Sequence, residues 1–521
     1  MYIDDKVLIG KSDDAELFIV PSMANRHGLI TGASGSGKTI TLKVMAESFS
    51  DMGVPVFLAD VKGDLAGCCM PGEASEKLNE RLAKIGITDF DYKGFPVVFW
   101  DVFGKGGHPI RTTLEKVGPT ILSRMLGLNE TQEGVLAIVF KIAREEGYKL
   151  YDLKDLRLLL QYTAENAKEY QVEYGNVASQ TIGAIQRSLL MLEEQGGNYF
   201  FGEPDIDIND FIKVNANGKG NINILHCVDL FKQPTLYACF LLWILTTLSY
   251  QLPEVGDLDK PKLVFFFDEA HLLFDDLPNY MLNQVTQVVK LIRSKGIGLY
   301  FISQTPNDIP ADILAQLGNK VQHTLRAYTP QEQKAVKAVA ASFRANPKFD
   351  TEETINSLGT GEAVISFLNE KGEPNMVERA TILPPQSMMG AIDDSIRLMV
   401  VAKSEFQGKY DTLVDNESAY EVLSEKYAKE KEEKEAEERA KAEEKARIEA
   451  EKEAEKQRKI EEKAAKDAER KRKEEERQKE KERKNSLGYK VGKEASRAAK
   501  TELRSMGRKI IREAFKSIFK K

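Results

Sequence analysis

Residues 27–39 read His-Gly-Leu-Ile-Thr-Gly-Ala-Ser-Gly-Ser-Gly-Lys-Thr. A short apolar strand leads into a Gly-x-x-x-x-Gly-Lys-Thr loop at 32–39, and a helix-compatible segment follows at 40–48. Glycines let backbone N–H groups point inward around an anion, and the start of a helix adds the positive end of its dipole. The order strand, loop, helix therefore predicts a phosphate-binding P-loop in an α/β fold.

The residue types in this loop also predict its ligands. Lys38 is expected to reach the β- and γ-phosphates of ATP, and the Thr39 hydroxyl is expected to bind Mg²⁺. A chance Gly-rich turn is the alternative, which the flanking strand and helix disfavour. The predicted cofactor-binding residues are Gly32, Ala33, Ser34, Gly35, Ser36, Gly37, Lys38, Thr39 and Ile40.

A second motif at 261–271 reads Pro-Lys-Leu-Val-Phe-Phe-Phe-Asp-Glu-Ala-His. Its apolar run predicts a strand buried on both faces that ends at Asp268 and Glu269, at the edge where α/β sheets bind ligands. We expect Asp268 to hold Mg²⁺ through its water shell and Glu269 to polarise the attacking water as general base. The alternative is a strand that ends in a polar turn. His271 completes the letters D-E-A-H, which we interpret as coincidence.

A third apolar strand is predicted where residues 298–306 read Gly-Leu-Tyr-Phe-Ile-Ser-Gln-Thr-Pro. It ends at Gln304, which is expected at the same edge of the sheet. In RecA-like motors such a residue senses the γ-phosphate or orients the water. The alternative is an amide that caps the turn before Pro306.

Composition places the chain among large globular proteins of a reducing compartment. The 521 residues are 42% hydrophobic, enough for two or three domains and a sizeable core. Asp4 and Asp5 interrupt any apolar start, and the apolar run at 237–248 is too short to span a bilayer, so a soluble cytoplasmic protein is expected. The cysteines lack metal-ligand spacing: Cys68, Cys69, Cys227 and Cys239.

Strands that alternate with helical patterns predict a mainly parallel, helix-covered sheet. Further strands are predicted at 54–60, 96–102, 222–228, 320–326 and 363–367. The predicted organisation is a lead-in hairpin at 1–26, the first part of a P-loop NTPase core at 27–110, a helical insertion at 111–200, the second part of the core at 201–400, a charged extended helix at 401–485 and a basic amphipathic tail at 486–521.

The C-terminal quarter divides by charge. Residues 420–484 place opposite charges at i,i+4 without an apolar heptad, which favours a single exposed helix about 90 Å long over a coiled coil, with partial disorder as the alternative. Residues 487–521 carry eleven Lys or Arg against three Glu, a net charge of +8, whereas the whole chain carries −7. This basic amphipathic tail is typical of a segment that binds nucleic-acid phosphate, an anionic membrane surface or a protein partner. The alternative is a helix that packs on the core of its own chain.

Seven stretches together resemble the YjgR-like branch of bacterial HerA-like ATPases, over about residues 1 to 400. The wider HerA/FtsK superfamily forms hexameric rings that hydrolyse ATP and move along double-stranded DNA. The resemblance therefore implies a RecA-like motor that assembles as a homo-hexamer on double-stranded DNA. The stretches are 23–32, 55–65, 128–134, 202–204, 268–271, 303–306 and 325–330.

The resemblance also implies further site residues. Arg326 is the first choice for an arginine placed near the γ-phosphate, in its own subunit or a neighbouring one, and Arg293 is the second. An ordinary salt bridge is the alternative for both. Asp60 resembles an acid near the nucleotide in the superfamily, although a capping role is equally plausible. Only 26 residues precede the P-loop stretch, so the N-terminal β-barrel of archaeal HerA is expected to be absent.

Two functions from different classes follow. The leading one is an Mg²⁺-dependent ATPase motor that translocates on or remodels double-stranded DNA. The other is an ATP-gated scaffold that its basic tail tethers to a membrane or partner protein. A small-molecule kinase is a third reading, disfavoured because Glu269 and Gln304 suit hydrolysis better than transfer.

Overall fold

The structure is a computed structural model that describes residues 1–256, 258–274, 279–327 and 329–485. Contacts divide the chain into two units, Met1–Glu425 and Lys426–Lys521, which are described separately below. The predicted basic tail at 486–521 lies outside the described residues.

The first unit is built around one sheet. Within the described residues it has thirteen strands. They are β1 (Tyr2–Ile3), β2 (Lys6–Lys11), β3 (Glu16–Ile19), β4 (Gly28–Thr31), β5 (Val56–Asp60), β6 (Val97–Asp101), β7 (His108–Pro109), β8 (Ile222–His226), β9 (Leu263–Phe267), β10 (Ile297–Ser303), β11 (Asn319–Gln322), β12 (Glu362–Ser366) and β13 (Glu378–Ile382).

The larger part of the sheet is parallel. Its strands lie in the order β11-β4-β10-β9-β5-β8-β6-β7, and every neighbouring pair runs in the same direction. Strands β5 and β9 are buried along their whole length, because helices cover both faces. The prediction of a mainly parallel sheet is confirmed.

An antiparallel extension continues the sheet beyond β11. Strands β12, β13 and β2 follow in that order, and β1 and β3 pair with β2, so the predicted lead-in hairpin joins the main sheet. The strand predicted at 320–326 ends earlier, at Gln322. The reason is that the chain turns towards the P-loop, where the Ala33 N–H donates to the Thr324 carbonyl oxygen (2.8 Å).

Helices cover the sheet, and six of them lie within residues 111–200, the segment predicted as a helical insertion. A capping box between Asn129 and Gln132 starts the second insertion helix, as the sequence indicated. The helices are α1 (Lys38–Asp51), α2 (Glu76–Lys84), α3 (Leu114–Met125), α4 (Glu130–Glu146), α5 (Leu153–Glu165), α6 (Ala167–Tyr174), α7 (Ser179–Glu194), α8 (Gly197–Phe200), α9 (Pro234–Gln251), α10 (His271–Phe274), α11 (Asn279–Ile292), α12 (Ala311–Leu314), α13 (Pro330–Ala341), α14 (Thr351–Ser357), α15 (Asp394–Ala402) and α16 (Ala419–Asn485).

Aromatic packing anchors α1 to the centre of the sheet. The Phe49 ring lies 6.3 Å from that of Phe266 on β9 and 6.1 Å from that of Tyr300 on β10, measured between centroids. Burying such a side chain stabilises the fold by roughly 1.5–3 kcal/mol. The helix that follows the P-loop is therefore held rigidly against the strands that carry the acidic and polar site residues.

The charged segment is one helix, α16, as predicted, although it begins at Ala419 rather than near 401. Residues before it pack on the first unit, where Phe406 and Tyr410 are buried against Trp100. In the second unit, residues 431–485 are all exposed, and i,i+4 pairs such as Lys466–Glu462 (2.7 Å) line the helix. Among the described helices, none is long and apolar enough to cross a membrane.

Candidate functional site

Three neighbouring strands bring the predicted site residues to one edge of the sheet. Strand β10 lies between β4 and β9, and all three run parallel. Their carboxyl ends therefore lie side by side, with the P-loop after β4, Gln304 after β10, and Asp268 and Glu269 after β9. This edge is where open α/β sheets bind ligands.

The P-loop glycines have backbone conformations that other residues rarely adopt. The φ angles of Gly32, Gly35 and Gly37 are +151°, +74° and +115°. A Cβ atom on Gly32 would lie 2.5 Å from Cβ of His323, while one on Gly35 would meet open space. The loop is thus pressed against the chain after β11 at one glycine and open to a ligand at another.

Lys38 lies in the first turn of α1 and is buried. Its ammonium donates to the carbonyl oxygens of Gly32 (2.7 Å) and Ala33 (3.2 Å). Burial lowers the Lys38 pKa, and the charges of Glu269 and Asp268 oppose that shift. An anionic phosphate in the loop would favour the charged lysine further, because it would replace the lost hydration.

The acidic pair is buried at the end of β9. Asp268 and Glu269 are only 3% and 7% exposed. Burial, followed by the charge of Glu269, raises the Asp268 pKa to about 7. Asp268 Oδ1 accepts from the Glu269 N–H (3.0 Å), while Oδ2 has no hydrogen-bond partner among the described residues. Such a buried, unpartnered oxygen fits a role towards a hydrated Mg²⁺, which keeps several waters and needs few protein ligands.

Glu269 has an unusual backbone and a cationic partner. Its φ is +50°, in the left-handed region, a conformation that costs a non-glycine residue of the order of 1 kcal/mol. Its Oε1 forms an ion pair with the Lys62 ammonium, and its Oε2 lies 3.4 Å from His271 Nδ1. The functional prediction did not include Lys62. Lys62 lies within the stretch 55–65, which had served only as evidence for the family resemblance.

Asp60 at the end of β5 is fully buried, and both of its carboxylate oxygens accept from the backbone. The donors are the N–H groups of Gly63 (2.8 Å) and Leu65 (3.3 Å). Burial raises the Asp60 pKa to about 6, with the charge of Asp64 as the second cause. This geometry favours the capping alternative for Asp60 over direct contact with a nucleotide.

The remaining predicted residues lie on two different edges. Gln304 is exposed beside the P-loop, and the following turn is capped by Thr305 and Asp308, so the alternative that Gln304 caps this turn is not favoured. Arg326 is also exposed and follows β11, which is parallel to β4. Arg293 precedes β10 and thus lies at the opposite edge. The fold brings Arg326 but not Arg293 to the edge that carries the P-loop.

A P-loop between a buried strand and a helix, with two acids at the end of a parallel strand one position further along the sheet, defines a P-loop NTPase. The chain belongs to the helicase HerA-like C-terminal family, which matches residues 5–520. It is therefore an ATPase of the HerA-like class.

Curated relatives and solved structures are similar over most of the chain. The DNA double-strand break repair helicase HerA of Sulfolobus acidocaldarius is 22% identical over 74% of this chain and 70% of its own length. HerA of Pyrococcus furiosus is 23% identical over 66% of this chain and 64% of its own. The bacterial conjugative coupling protein TrwBdeltaN70 has a TM-score of 0.48 at 13% identity, covering 72% of this chain and 89% of that one.

Proposed function

We propose that the protein is an Mg²⁺-dependent ATP hydrolase that translocates on or remodels double-stranded DNA as a ring. The observation that carries the ATPase part is the arrangement of three adjacent parallel strand ends. They hold the P-loop, Gln304 and the Asp268–Glu269 pair side by side. Family membership supports the DNA part, since the curated relatives are named as DNA repair helicases.

Each residue has one role in this proposal. The backbone N–H groups of 32–39 and the Lys38 ammonium bind the phosphates. Thr39 and Asp268 would hold Mg²⁺, which would supply positive charge next to the phosphoryl group. Glu269 accepts a proton from the attacking water. Gln304 orients that water from the strand between the P-loop and Glu269.

The ring follows from the family resemblance, and one exposed arginine is compatible with it. Arg326 is exposed at the edge of the sheet that carries the P-loop, where it is accessible to a neighbouring subunit of a homo-hexamer. An arginine supplied across a subunit boundary stabilises the transition state by a large rate factor. We therefore keep Arg326 as the first candidate, and Arg293, on the opposite edge, as the one that must act entirely in trans. Action on cellular DNA would place the protein in the cytoplasm.

The test is steady-state ATP hydrolysis with and without linear double-stranded DNA, at low and moderate salt. The proposal expects stimulation by DNA, weaker at higher salt because phosphate contacts are screened. Glu269→Gln should abolish both basal and stimulated rates. A hydrolysis rate that DNA does not change at any salt concentration would contradict the proposed action on DNA. The absence of hydrolysis would contradict the proposed ATPase activity.

The second candidate is an ATP-gated scaffold, which the exposed α16 favours because such a helix suits an extended tether. Its partner, an anionic membrane surface or a protein, would bind through 487–521. Truncation after Glu425 separates the two functions, because a motor keeps DNA-stimulated hydrolysis without the part of α16 that follows this residue. A scaffold keeps only basal hydrolysis and loses its location.

A further inference from the structure

Lys62 contacts the proposed catalytic base directly. Strands β5 and β9 are adjacent and parallel, with Ala59 opposite Phe267, so the residues after each strand meet at the same edge. There the Lys62 ammonium pairs with Glu269 Oε1. The Lys62 side chain is 56% exposed, whereas that of Glu269 is 8% exposed. Glu269 is therefore held in the site by its surroundings, while the exposed side chain of Lys62 has room to move.

The two lysines of this edge have different partners. Lys38 donates to the carbonyl oxygens of its own loop, while Lys62 donates to a carboxylate of the acidic pair. Glu269, Asp268 and Asp64 all raise the pKa of Lys62 and thus favour its charged form. The positive charge of Lys62 in turn contributes to lowering the pKa of Lys38. Lys62 is therefore within electrostatic range of Lys38, the residue expected to reach the terminal phosphate.

The ion pair restrains the base. An ammonium bound to Oε1 occupies one of the two oxygens that could accept a proton from water. A triphosphate in the P-loop brings a terminal phosphate with more negative charge than one carboxylate. Because Lys62 is exposed and its stem is flexible, this phosphate can draw it away from Glu269.

We propose that Lys62 is a positioning residue that exchanges partners: it pairs with Glu269 when no terminal phosphate is present and with the γ-phosphate when ATP is bound. The exchange frees Glu269 for the attacking water only when ATP is present. No covalent bond changes in this step. The inference rests on the proposed ATPase function, and it adds a contact that distinguishes a triphosphate from a diphosphate.

The experiment is a double-mutant cycle measured by calorimetry, with Mg²⁺ present. Wild type, Lys62→Met, Glu269→Gln and the double variant are titrated with ADP and with the non-hydrolysable imido analogue of ATP. Lys62→Met should lower the preference for the triphosphate by about tenfold, the size expected for one charge-assisted hydrogen bond. Glu269→Gln should raise triphosphate affinity, because Lys62 is then already free, and that gain should vanish in the double variant.

Lys105→Met is the matched control. Lys105 follows β6, which β8 separates from β5, and it pairs with Asp229 (3.3 Å). Its side chain is 71% exposed, so this substitution removes a comparable charge away from the acidic pair. It should leave the triphosphate preference unchanged. Lys62→Arg should restore much of the preference, and thermal unfolding checks that each variant is folded.

The outcomes separate the inference from the proposed function. A preference in Lys62→Met within about twofold of wild type, in a protein that binds both nucleotides, overturns the inference and leaves the ATPase intact. Additive effects of Lys62→Met and Glu269→Gln overturn it as well. Wild type that binds neither nucleotide contradicts the proposed function itself.

Discussion

Thr41 and His323 lie 282 positions apart in the chain and share a buried hydrogen bond of 2.8 Å between Thr41 Oγ1 and His323 Nε2. His323 Nδ1 lies 2.9 Å from the Glu362 carbonyl oxygen, which can only accept. Nδ1 therefore carries the proton, and Nε2 accepts from the threonine hydroxyl. This neutral histidine ties the P-loop helix α1 to the chain after β11 and supports Gly32 from behind.

His323 should make stability depend on pH. Burial lowers its pKa to about 4 from the ordinary value of 6.5, so the unfolded chain takes up this proton first as pH falls. The contribution of neutral His323 to the free energy of unfolding is fully present above pH 6.5 and is lost as pH falls towards 4. His323→Gln removes this titration. The difference in free energy of unfolding between wild type and variant should shrink by about 2 kcal/mol between pH 7.5 and pH 5.

Urea unfolding at the two pH values measures this difference. His27, whose pKa burial also lowers to about 4, titrates in both proteins and cancels from the comparison. A gap that stays constant with pH would show that His323 is already solvated in the folded state.

Gly32→Ala should damage the P-loop far more than Gly35→Ala. A Cβ on Gly32 would lie 2.5 Å from His323 Cβ, and its φ of +151° disfavours any side chain. Gly35 also has a positive φ, but nothing lies within 4 Å of the added atom. We expect at least about a tenfold loss of nucleotide affinity for Gly32→Ala and a smaller loss for Gly35→Ala, since strain alone costs about 1 kcal/mol. Equal losses measured by calorimetry would contradict the contact with His323.

Glu269→Gln should separate binding from chemistry. The amide keeps the size of the side chain but cannot accept a proton from water, so hydrolysis should fall by about a hundredfold or more. Affinity for ADP should be retained and affinity for the triphosphate should rise, since Lys62 is no longer paired with residue 269, whereas Lys38→Ala should lose both. Phosphate release assays and calorimetry on both variants measure the two effects, and near-normal turnover by Glu269→Gln would remove this residue from the mechanism.

Asp60→Ala should lower stability rather than nucleotide affinity. The substitution leaves the N–H groups of Gly63 and Leu65 without their acceptor, at a cost of about 1–3 kcal/mol for each buried group. Asp60→Asn, which keeps one acceptor oxygen, should be milder. A loss of ATP affinity in both variants with unchanged unfolding would instead favour direct contact with the nucleotide.

Truncation after Glu425 should leave a folded ATPase. The division between the two units falls there, and the buried Ala419 and Leu423 at the start of α16 are retained. The removed helix is fully exposed from 431 to 485, so its loss should change the unfolding free energy of the first unit by less than about 1 kcal/mol. Aggregation or loss of basal hydrolysis on truncation would show that the remaining chain depends on the helix.

The sequence alone determined the features that rest on neighbouring residues. The P-loop, the buried acidic strand, the capping box at Asn129 and Gln132 and the charged helix all depend on contacts within a few positions of the chain. Periodicity and turn chemistry reveal such features directly. Their order along the chain was enough to predict a mainly parallel α/β sheet.

Only the tertiary structure decided which distant residues meet. Lys62 contacts Glu269 because β5 lies beside β9, and His323 contacts Thr41 because β11 lies beside β4. Strand order depends on how helices and crossovers pack across the whole sheet, and no local pattern encodes it. The side chains that contact Glu269 and support the P-loop therefore became visible only in the folded chain.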